Sequence, residues 1–184
     1  MHRENLLELL EEYQPTYAKE KKFKQQIIAF IKTNEDCFER SLDIGHITAS
    51  AWLLDKSGDN ALLMHHAKLN KWLQPGGHAD GDSNALAVAI KEAQEESGIQ
   101  DIKAVDNQIF DIDIHLIPAN SKDKEHFHYD VRFLLQVQSG EKLQINEESK
   151  ELRWVSKNRA NLPTNEDSIT RMFDKWVKEK IEFF

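Results

Sequence analysis

The stretch GHADGDSNALAVAIKEAQEESGI, from Gly77 to Ile99, says more about fold and function than any other segment of this chain. Its second half predicts a helix, and the spacing of Glu92, Glu95 and Glu96 places their side chains on one face of that helix. Carboxylates gathered in this way repel one another unless a cation lies among them. Oxygen ligands of this kind suit Mg²⁺ or Mn²⁺, ions that commonly serve phosphoryl chemistry.

The residues on either side of these glutamates favour a binding site. Pro75-Gly76-Gly77 predicts a loop in which the backbone can approach a ligand closely, and Gly98 predicts the C-cap of the helix. An amphipathic helix with glutamates on its wet side is usually only a solvated face. The glycine loop and the cap argue against that simpler interpretation. The predicted buried side of the helix consists of Leu86, Ala89, Ile90 and Ala93.

The segment resembles the Nudix box, which joins a glycine, a glutamate and the run Arg-Glu-aliphatic-any-Glu-Glu-any-Gly-aliphatic at fixed spacing. Gly77 matches the first glycine, Glu92 to Glu96 match the glutamate core, and Gly98-Ile99 match the end. The resemblance implies an α/β (α+β) fold, a Nudix-like α/β/α sandwich with a mixed sheet. It also implies a metal-dependent hydrolase that cleaves a diphosphate linkage in a nucleoside-diphosphate-linked or similar small molecule.

Three positions depart from the family pattern. Ser83 stands in place of the early glutamate, Lys91 in place of the arginine, and the small Ala93 at the aliphatic position. In the family the missing glutamate and arginine brace the loop and the helix. We expect Asp80 or Asp82 to take over that support, and the metal-binding carboxylates to remain in place.

The resemblance assigns roles to particular residues. Glu92, Glu95 and Glu96 are the implied catalytic residues, with Glu92 binding a second ion or orienting the water, and the general base remains open among these acids. A later loop often adds an acid, for which Glu147 and Glu148 both qualify; we choose Glu148. The implied ligands of Mg²⁺, or of Mn²⁺ in its place, are therefore Gly76 through its carbonyl, Glu92, Glu95, Glu96 and Glu148.

Periodicity predicts the elements around the box. Two helices are expected between residues 4 and 33, and a closing helix over residues 167–181. Strands are expected at His46 to Leu54, Ala61 to His66, residues 102–106, 109–117 and 126–137, and Leu152 to Val155, with a hairpin loop over residues 118–125. We divide the chain into an N-terminal helical extension, residues 1–40, and a Nudix-like hydrolase domain, residues 41–184. The N-terminal helices either cap the sheet or provide a homodimer contact.

Several histidines alternate with apolar residues on the predicted strands. The polar positions of residues 109–117 and 126–137 are Asp111, Asp113, His115, His126, His128, Asp130 and Arg132. This face either lines the substrate pocket or is a water-facing surface with cross-strand ion pairs. His78, His115, His128 and Arg132 are the candidate substrate-binding residues. A zinc site is the weaker interpretation, because the histidines are scattered in the sequence and there is one cysteine.

Composition and charge limit the classes of partner and the compartment that we expect for this protein. The formal net charge of −8, without a basic stripe, argues against a nucleic-acid polymer. No apolar run approaches the ~20 residues that span a bilayer, so no membrane association is expected. The single Cys37 excludes an intramolecular disulfide, and together with an N-terminus unlike a signal peptide it leads us to expect a cytoplasmic protein.

Two other functions remain open. The same fold can serve as a non-catalytic sensor that binds a nucleotide or sugar nucleotide, which the departures at Ser83 and Lys91 favour and the intact glutamates oppose. Isomerisation of a diphosphate ester would need a further acid–base pair, in which a cysteine commonly takes part. Cys37 lies far upstream of the box, so this third function is the least favoured.

Overall fold

The computed structural model describes residues 2–120 and 124–178. Within these residues, four helices and seven strands follow one another. In order they are α1 (Glu4–Glu12), α2 (Ala18–Thr33), β1 (Gly45–Leu54), β2 (Asn60–His66), β3 (Trp72–Leu73), β4 (Gly76–His78), α3 (Ala85–Ser97), β5 (Asp101–Ile117), β6 (His126–Ser139), β7 (Ser149–Ser156) and α4 (Asp167–Lys178), with a short 3-10 helix at Arg159–Asn161 before α4.

The strands form one mixed sheet. Its main order is β3-β2-β1-β6-β5, while β4 pairs with β1 and β7 pairs with β2. The central pair, β1 and β6, is parallel, whereas β4 and β5 run antiparallel to their neighbours. Because β1 pairs with β2, β4 and β6, it holds the short glycine-containing strand against the middle of the sheet.

Each face of the sheet is covered by helices. Alternate residues of β1, namely Ile47, Ala49, Ala51 and Leu53, share a buried cluster with apolar residues of α1, α2 and α3. On the other face, Trp52 and Leu54 pack with Ile169, Met172 and Trp176 of α4. Burying a Leu or Ile side chain contributes about 1.5–3 kcal/mol relative to leaving it exposed. The predicted α/β/α arrangement with a mixed sheet is confirmed.

The N-terminal helices belong to the core that covers the first face. Leu6 and Leu10 of α1 and Ile27 and Ile31 of α2 are fully buried in the cluster that includes β1. This arrangement agrees with the capping alternative. The homodimer contact and the division at residue 40 stay predictions.

Some element boundaries differ from expectation. The glycine segment is a strand paired with β1 rather than a loop, and residues 102–106 and 109–117 form one strand, β5. A register shift between Ile109 and Asp111 moves Phe110 into the α4 cluster, so it does not share the face of Ile112 as strict alternation predicts. The predicted closing helix is described as far as Lys178, and its last residues and part of the 118–125 loop lie outside the described residues.

Among residues 2–120 and 124–178, no helix combines the length and apolar character needed to cross a bilayer.

Candidate metal and phosphate site on α3

The sequence fixes both ends of α3 and the side that it buries. The Asn84 side chain accepts a hydrogen bond from the Ala87 backbone N–H at 3.1 Å, and Gly98 ends the helix with φ of 78°. Small buried residues, Ala85, Ala89 and Ala93 among them, face the sheet and let the helix approach β1 and β4 closely. The helix therefore holds its glutamates beside the strand that carries the glycines.

Glu96 is fixed directly to the glycine strand. The Gly76 backbone N–H donates to its Oε2 at 2.8 Å, and the side chain is buried. A Cβ on Gly76 would lie 2.2 Å from the Ser50 Oγ and 2.8 Å from the Ser50 Cα. Only glycine fits where Gly76 of β4 pairs with Ser50 of β1, so the close approach depends on the residue type.

Glu92 lies against the second glycine. A Cβ on Gly77 would come within 2.5 Å of the Glu92 Oε2. Its side chain is 16% exposed, whereas that of Glu95 is 58% exposed. Lys91, which stands in place of the family arginine, has its Nζ 3.8 Å from Glu92 and 3.7 Å from Glu95. Two of the three predicted glutamates thus line the glycine strand, and the third faces solvent beside a lysine.

The electrostatics of these carboxylates favour a cation. Burial, together with the charges of Glu92, Glu148 and Glu95, raises the pKa of Glu96 to about 8 against the opposing Gly76 N–H bond. Burial and the same kind of repulsion raise the pKa of Glu92, although Lys91 opposes the shift. A divalent cation among these oxygens would reverse the local sign of charge. The donor set therefore fits the Mg²⁺ or Mn²⁺ that the sequence implies.

The later loop approaches the same glutamates. Glu148 raises the pKa values of both Glu92 and Glu96 by its charge, so it faces the same volume. Asn146 joins this loop to α3, because its side-chain amide donates to the Glu95 carbonyl at 3.3 Å and its oxygen accepts from the Glu148 N–H at 3.0 Å. Sequence reasoning missed Asn146, which no spacing rule distinguishes from other loop residues.

Support for the segment before α3 comes from other residues than those of the family pattern. The Arg40 guanidinium donates two hydrogen bonds of 2.5 Å to the Asp80 carboxylate. The Asp82 side chain accepts a hydrogen bond from the Asn84 N–H at 2.8 Å. Arg40 also holds the pKa of Asp80 below its usual range. Both aspartates that we expected to replace the early glutamate thus brace this segment, and Arg40 is the partner that the sequence did not reveal.

The second face of the sheet carries a buried ionic network. The Arg132 guanidinium donates to Asp130 at 2.7 Å, to Asp111 at 3.0 Å and to Asp113 at 3.3 Å. These four side chains are at most 10% exposed, so the alternative of a water-facing surface is wrong here, although its cross-strand ion pairs are present. Arg132 as a substrate-binding residue stays a prediction, and its guanidinium already has three carboxylate partners.

Residues from both chain ends complete this network. Burial opposes ionisation of Asp111, but hydrogen bonds from Arg171 and the charges of Arg132 and Lys175 outweigh it and hold the Asp111 pKa well below its usual range. Lys175 of α4 also bonds to Glu20 of α2 and to the Tyr13 hydroxyl at 2.8 Å. The network therefore connects α2, β5, β6 and α4.

The predicted histidines lie together at one end of this face. Candidate ligand atoms of His46, His78 and His128 all lie within 4.8 Å of one another, and the His115 ring centre is 5.4 Å from that of His128. The strand pairing explains the cluster, because His46 lies opposite His128 and His78 lies opposite Thr48. Histidines that are scattered in the sequence are therefore brought together by the fold.

His46 is the histidine that sequence reasoning did not consider. It is 2% exposed, and neither of its ring nitrogens has a hydrogen-bond partner among the described residues. Leaving a buried polar atom unpaired costs about 1–3 kcal/mol. Burial, with the charges of neighbouring histidines, lowers the His46 pKa to about 4. Its even-numbered place on β1, in step with Thr48 and Ser50, is the signal that identifies its face.

Comparison with known proteins gives both family and fold. A family model described as the NUDIX domain matches residues 45–177. A probable DHNTP pyrophosphohydrolase of Lactococcus lactis subsp. cremoris is 30% identical over 97 residues, which are 52% of this chain and 56% of that protein. The chain thus spans little more than half the length of this curated relative.

Solved structures show the same fold at low identity. An Ap4A hydrolase of C. elegans superposes with a TM-score of 0.56 and 18% identity, over 71% of this chain and 93% of that one. A NUDIX-family hydrolase of Clostridium perfringens gives 0.52 and 24%, over 71% and 95%. The likeness of the family model runs from β1 into α4 and leaves α1 and α2 outside it.

Proposed function

This chain belongs to the Nudix family, and from that premise we propose that it is a metal-dependent pyrophosphohydrolase. Its substrate is a nucleoside-diphosphate-linked or similar small molecule, cleaved at the diphosphate. The observation that carries the proposal is the pair of carboxylates formed by the buried Glu96 and the partly buried Glu92, held against the glycine strand with raised pKa values. A relative whose name includes pyrophosphohydrolase supports the same reaction.

The cation would be held by the residues that surround this pair. The proposed ligands are Glu92, Glu95, Glu96, Glu148 and the carbonyl of Gly76. Mg²⁺ or Mn²⁺ bound there would neutralise charge on the diphosphate and lower the pKa of water. Because the protein carries a net charge of −8, this local positive charge is also what would allow an anionic substrate to approach.

The protein's own contribution is position and proton transfer. The Gly76 N–H holds one carboxylate oxygen of Glu96 in place, so the side chain does not have to be ordered when substrate arrives. An acid at this site would accept the proton from the attacking water. The raised pKa values of Glu92 and Glu96 belong to the metal-free protein and do not select the general base among the proposed ligands.

The exposed glutamate has a lesser role in this proposal. Glu95 remains a ligand on the solvent side of the site, where Lys91 already offsets part of its charge. Removing one charge there disturbs the site less than removing the buried Glu96. Glu96→Gln is therefore expected to lower the activity more than Glu95→Gln.

The test is hydrolysis of a panel of nucleoside-diphosphate-linked compounds with Mg²⁺, comparing the wild type with Glu96→Gln, Glu95→Gln and the control Glu147→Gln. We expect a loss of about 100-fold or more for Glu96→Gln in protein that is still folded, and little change for Glu147→Gln. Full Mg²⁺-dependent turnover by Glu96→Gln would contradict the proposal. Tight binding of a panel member by the wild type without any product would favour the sensor alternative.

A further inference from the structure

We propose that His46, His78, His126 and His128, here called the histidine cluster, bind a transition-metal cation of the Zn²⁺ type. This site is distinct from the carboxylates of α3, because imidazole nitrogens suit Zn²⁺ whereas Mg²⁺ requires oxygen ligands. Its ligands come from β1, β4 and β6, three strands that are adjacent in the sheet.

The distances within the histidine cluster match a shared metal. Five ring pairs within it have centres separated by 4.8 to 5.1 Å. With Zn–N bonds of about 2.1 Å in tetrahedral geometry, ring centres are separated by about 5.2 Å and nitrogens by about 3.4 Å. The ligand atoms of His46, His78 and His128 lie within 4.8 Å of one another, and binding of the cation would draw them closer.

The orientation of the rings is compatible with ligation. The planes of these five pairs are inclined by 31° to 85°, so none of the pairs is stacked face to face. Packed aromatic rings also adopt such inclinations, so the evidence for a ligand comes from the distances and from His46.

His46 gives the independent evidence for a ligand. Its side chain is 98% buried, and both ring nitrogens are unpaired among the described residues. A buried imidazole needs a partner for its lone pair and another for its N–H. A cation within the cluster supplies the first, which no described residue does.

His126 provides a fourth ligand with its tautomer already fixed. Its Nδ1 lies 2.7 Å from the Lys124 carbonyl, to which it donates, so Nε2 carries the lone pair. That Nε2 lies 3.2 Å from the Nε2 of His128, close to the separation of two nitrogens on one metal. An imidazole that donates its second nitrogen to a backbone carbonyl is the usual arrangement of a metal-binding histidine.

The expected role of the cation is to lock β4 onto the sheet. His78 is the last residue of β4, two positions after Gly76, and the other three ligands lie on β1 and β6. Four protein ligands leave no open position for substrate, which is typical of a structural site. The site would thereby hold the backbone that carries Gly76 and Gly77.

The test uses full-length protein without a histidine tag, dialysed against chelator and titrated with Zn²⁺ and with Co²⁺. We expect one Zn²⁺ per chain that excess Mg²⁺ does not displace, and a Co²⁺ visible absorption typical of tetrahedral nitrogen ligation. His46→Leu and His126→Gln should each weaken Zn²⁺ binding at least about 10-fold. Glu96→Gln should leave it unchanged, which separates this site from the proposed hydrolase site.

Two controls keep the outcome decisive. His65→Gln, outside the cluster, and His115→Gln, beside it, should retain the wild-type affinity and Co²⁺ spectrum. His126 is only partly buried, so its variant tests the site even if His46→Leu fails to fold. The proposal is overturned if folded wild type takes up no tightly bound Zn²⁺, or if the Zn²⁺ it binds is lost in Glu96→Gln and kept in His126→Gln.

Discussion

Two sets of buried acids in this protein have pKa values shifted in opposite directions. Glu96 lies among other glutamates, and its pKa is raised, whereas Asp111 lies among Arg132, Arg171 and Lys175, and its pKa is lowered. Burial disfavours the charge in both places, and the neighbours decide the result. Asp111 is therefore already neutralised by the protein, while Glu96 still needs a cation.

The raised pKa of Glu96 predicts how metal-free stability depends on pH. Its ordinary value is 4.5 and its folded value about 8, so between these values the unfolded state has lost a proton that the folded state keeps. The free energy of unfolding should therefore fall as pH rises from about 5 to 8, by at most about 1.4 kcal/mol per pH unit. Urea unfolding of metal-free protein across this range measures the slope.

The matched variant is Glu96→Gln, which should lack this contribution. Histidines with lowered pKa values, such as His46, give a slope of the opposite sign below about pH 6.5, and comparing the two proteins cancels it. Saturating Mg²⁺ should flatten the wild-type slope. Parallel wild-type and variant curves in metal-free buffer would show that Glu96 is ionised at its ordinary pKa.

At the residue scale, the sequence predicted which residue types form the site, but not which of them are buried or which residues contact them. The spacing of Glu92, Glu95 and Glu96 predicted one helical face, but spacing does not tell which of them is buried. His46 and Arg40 were not predicted as site residues. The residues near them lie on other strands and loops, and only the pairing of β1 with β4 and β6 brings them together.

At the element scale, the two glycines of β4 should respond differently to the same substitution. A Cβ on Gly76 meets the Ser50 backbone and side chain, so Gly76→Ala must displace β4 from β1. We expect a loss of about 1–3 kcal/mol in the free energy of unfolding. A Cβ on Gly77 meets only the movable carboxylate end of Glu92, so Gly77→Ala should chiefly weaken Mg²⁺ or Mn²⁺ binding.

Denaturant unfolding and Mn²⁺ titration of both variants separate these effects. Gly140→Ala adds a methyl group in open space at φ of 75°, so its loss of stability measures backbone strain without a steric clash. The expectation fails if Gly76→Ala is no less stable than Gly77→Ala, since that would mean β4 does not pack against Ser50.

The elements that the sequence predicted well are those with a long periodic signal. The apolar spacing of α3 predicted the helix and Gly98 its C-cap, although the helix begins only at Ala85 and not directly after the glycine segment. Strand β4 has three residues, two of them glycines, and carries no periodic signal, so it read as a loop. In β5 the register shifts between Ala104 and Ile109, and this is where one strand was predicted as two.

At the scale of the whole molecule, the buried network around Lys175 should be a major source of stability. Lys175 bonds to Asp111 at 2.6 Å, to the Tyr13 hydroxyl and to Glu20. Lys175→Met removes the closest cation from Glu20 and one of three cations from Asp111, and we expect a loss of about 3–5 kcal/mol. Urea unfolding measures it, with Lys32→Met as a control.

Lys32 is a suitable control because its side chain is 58% exposed and its pair with Glu11 spans 3.8 Å. That substitution should change stability by no more than about 0.5 kcal/mol. Adding Glu20→Gln to Lys175→Met should recover part of the loss, because one unpaired charge is removed. Equal effects of the two lysine substitutions would show that the network does not stabilise the fold.

The domain division shows what sequence alone leaves out at this scale. The apolar faces of α1 and α2 predicted two amphipathic helices, but an apolar face does not indicate which surface it packs against. The structure places Leu6 and Ile27 in the core cluster of the sheet and joins Glu20 to α4. These contacts cross the predicted division at residue 40 and are made by side chains far apart in sequence.

The parallel pairing of β1 with β6 has a consequence for the order of folding. It joins residues about 80 positions apart, from Gly45 with Phe127 to Leu54 with Gln136, and Lys175 is 155 positions from Glu20. Contacts of such long range require large loops to close first, which makes folding slow. During synthesis on the ribosome, α1 and α2 emerge long before their partners on β5 and α4. Glu20 of α2 can therefore pair with Lys175 only after most of the residues between them have been synthesised.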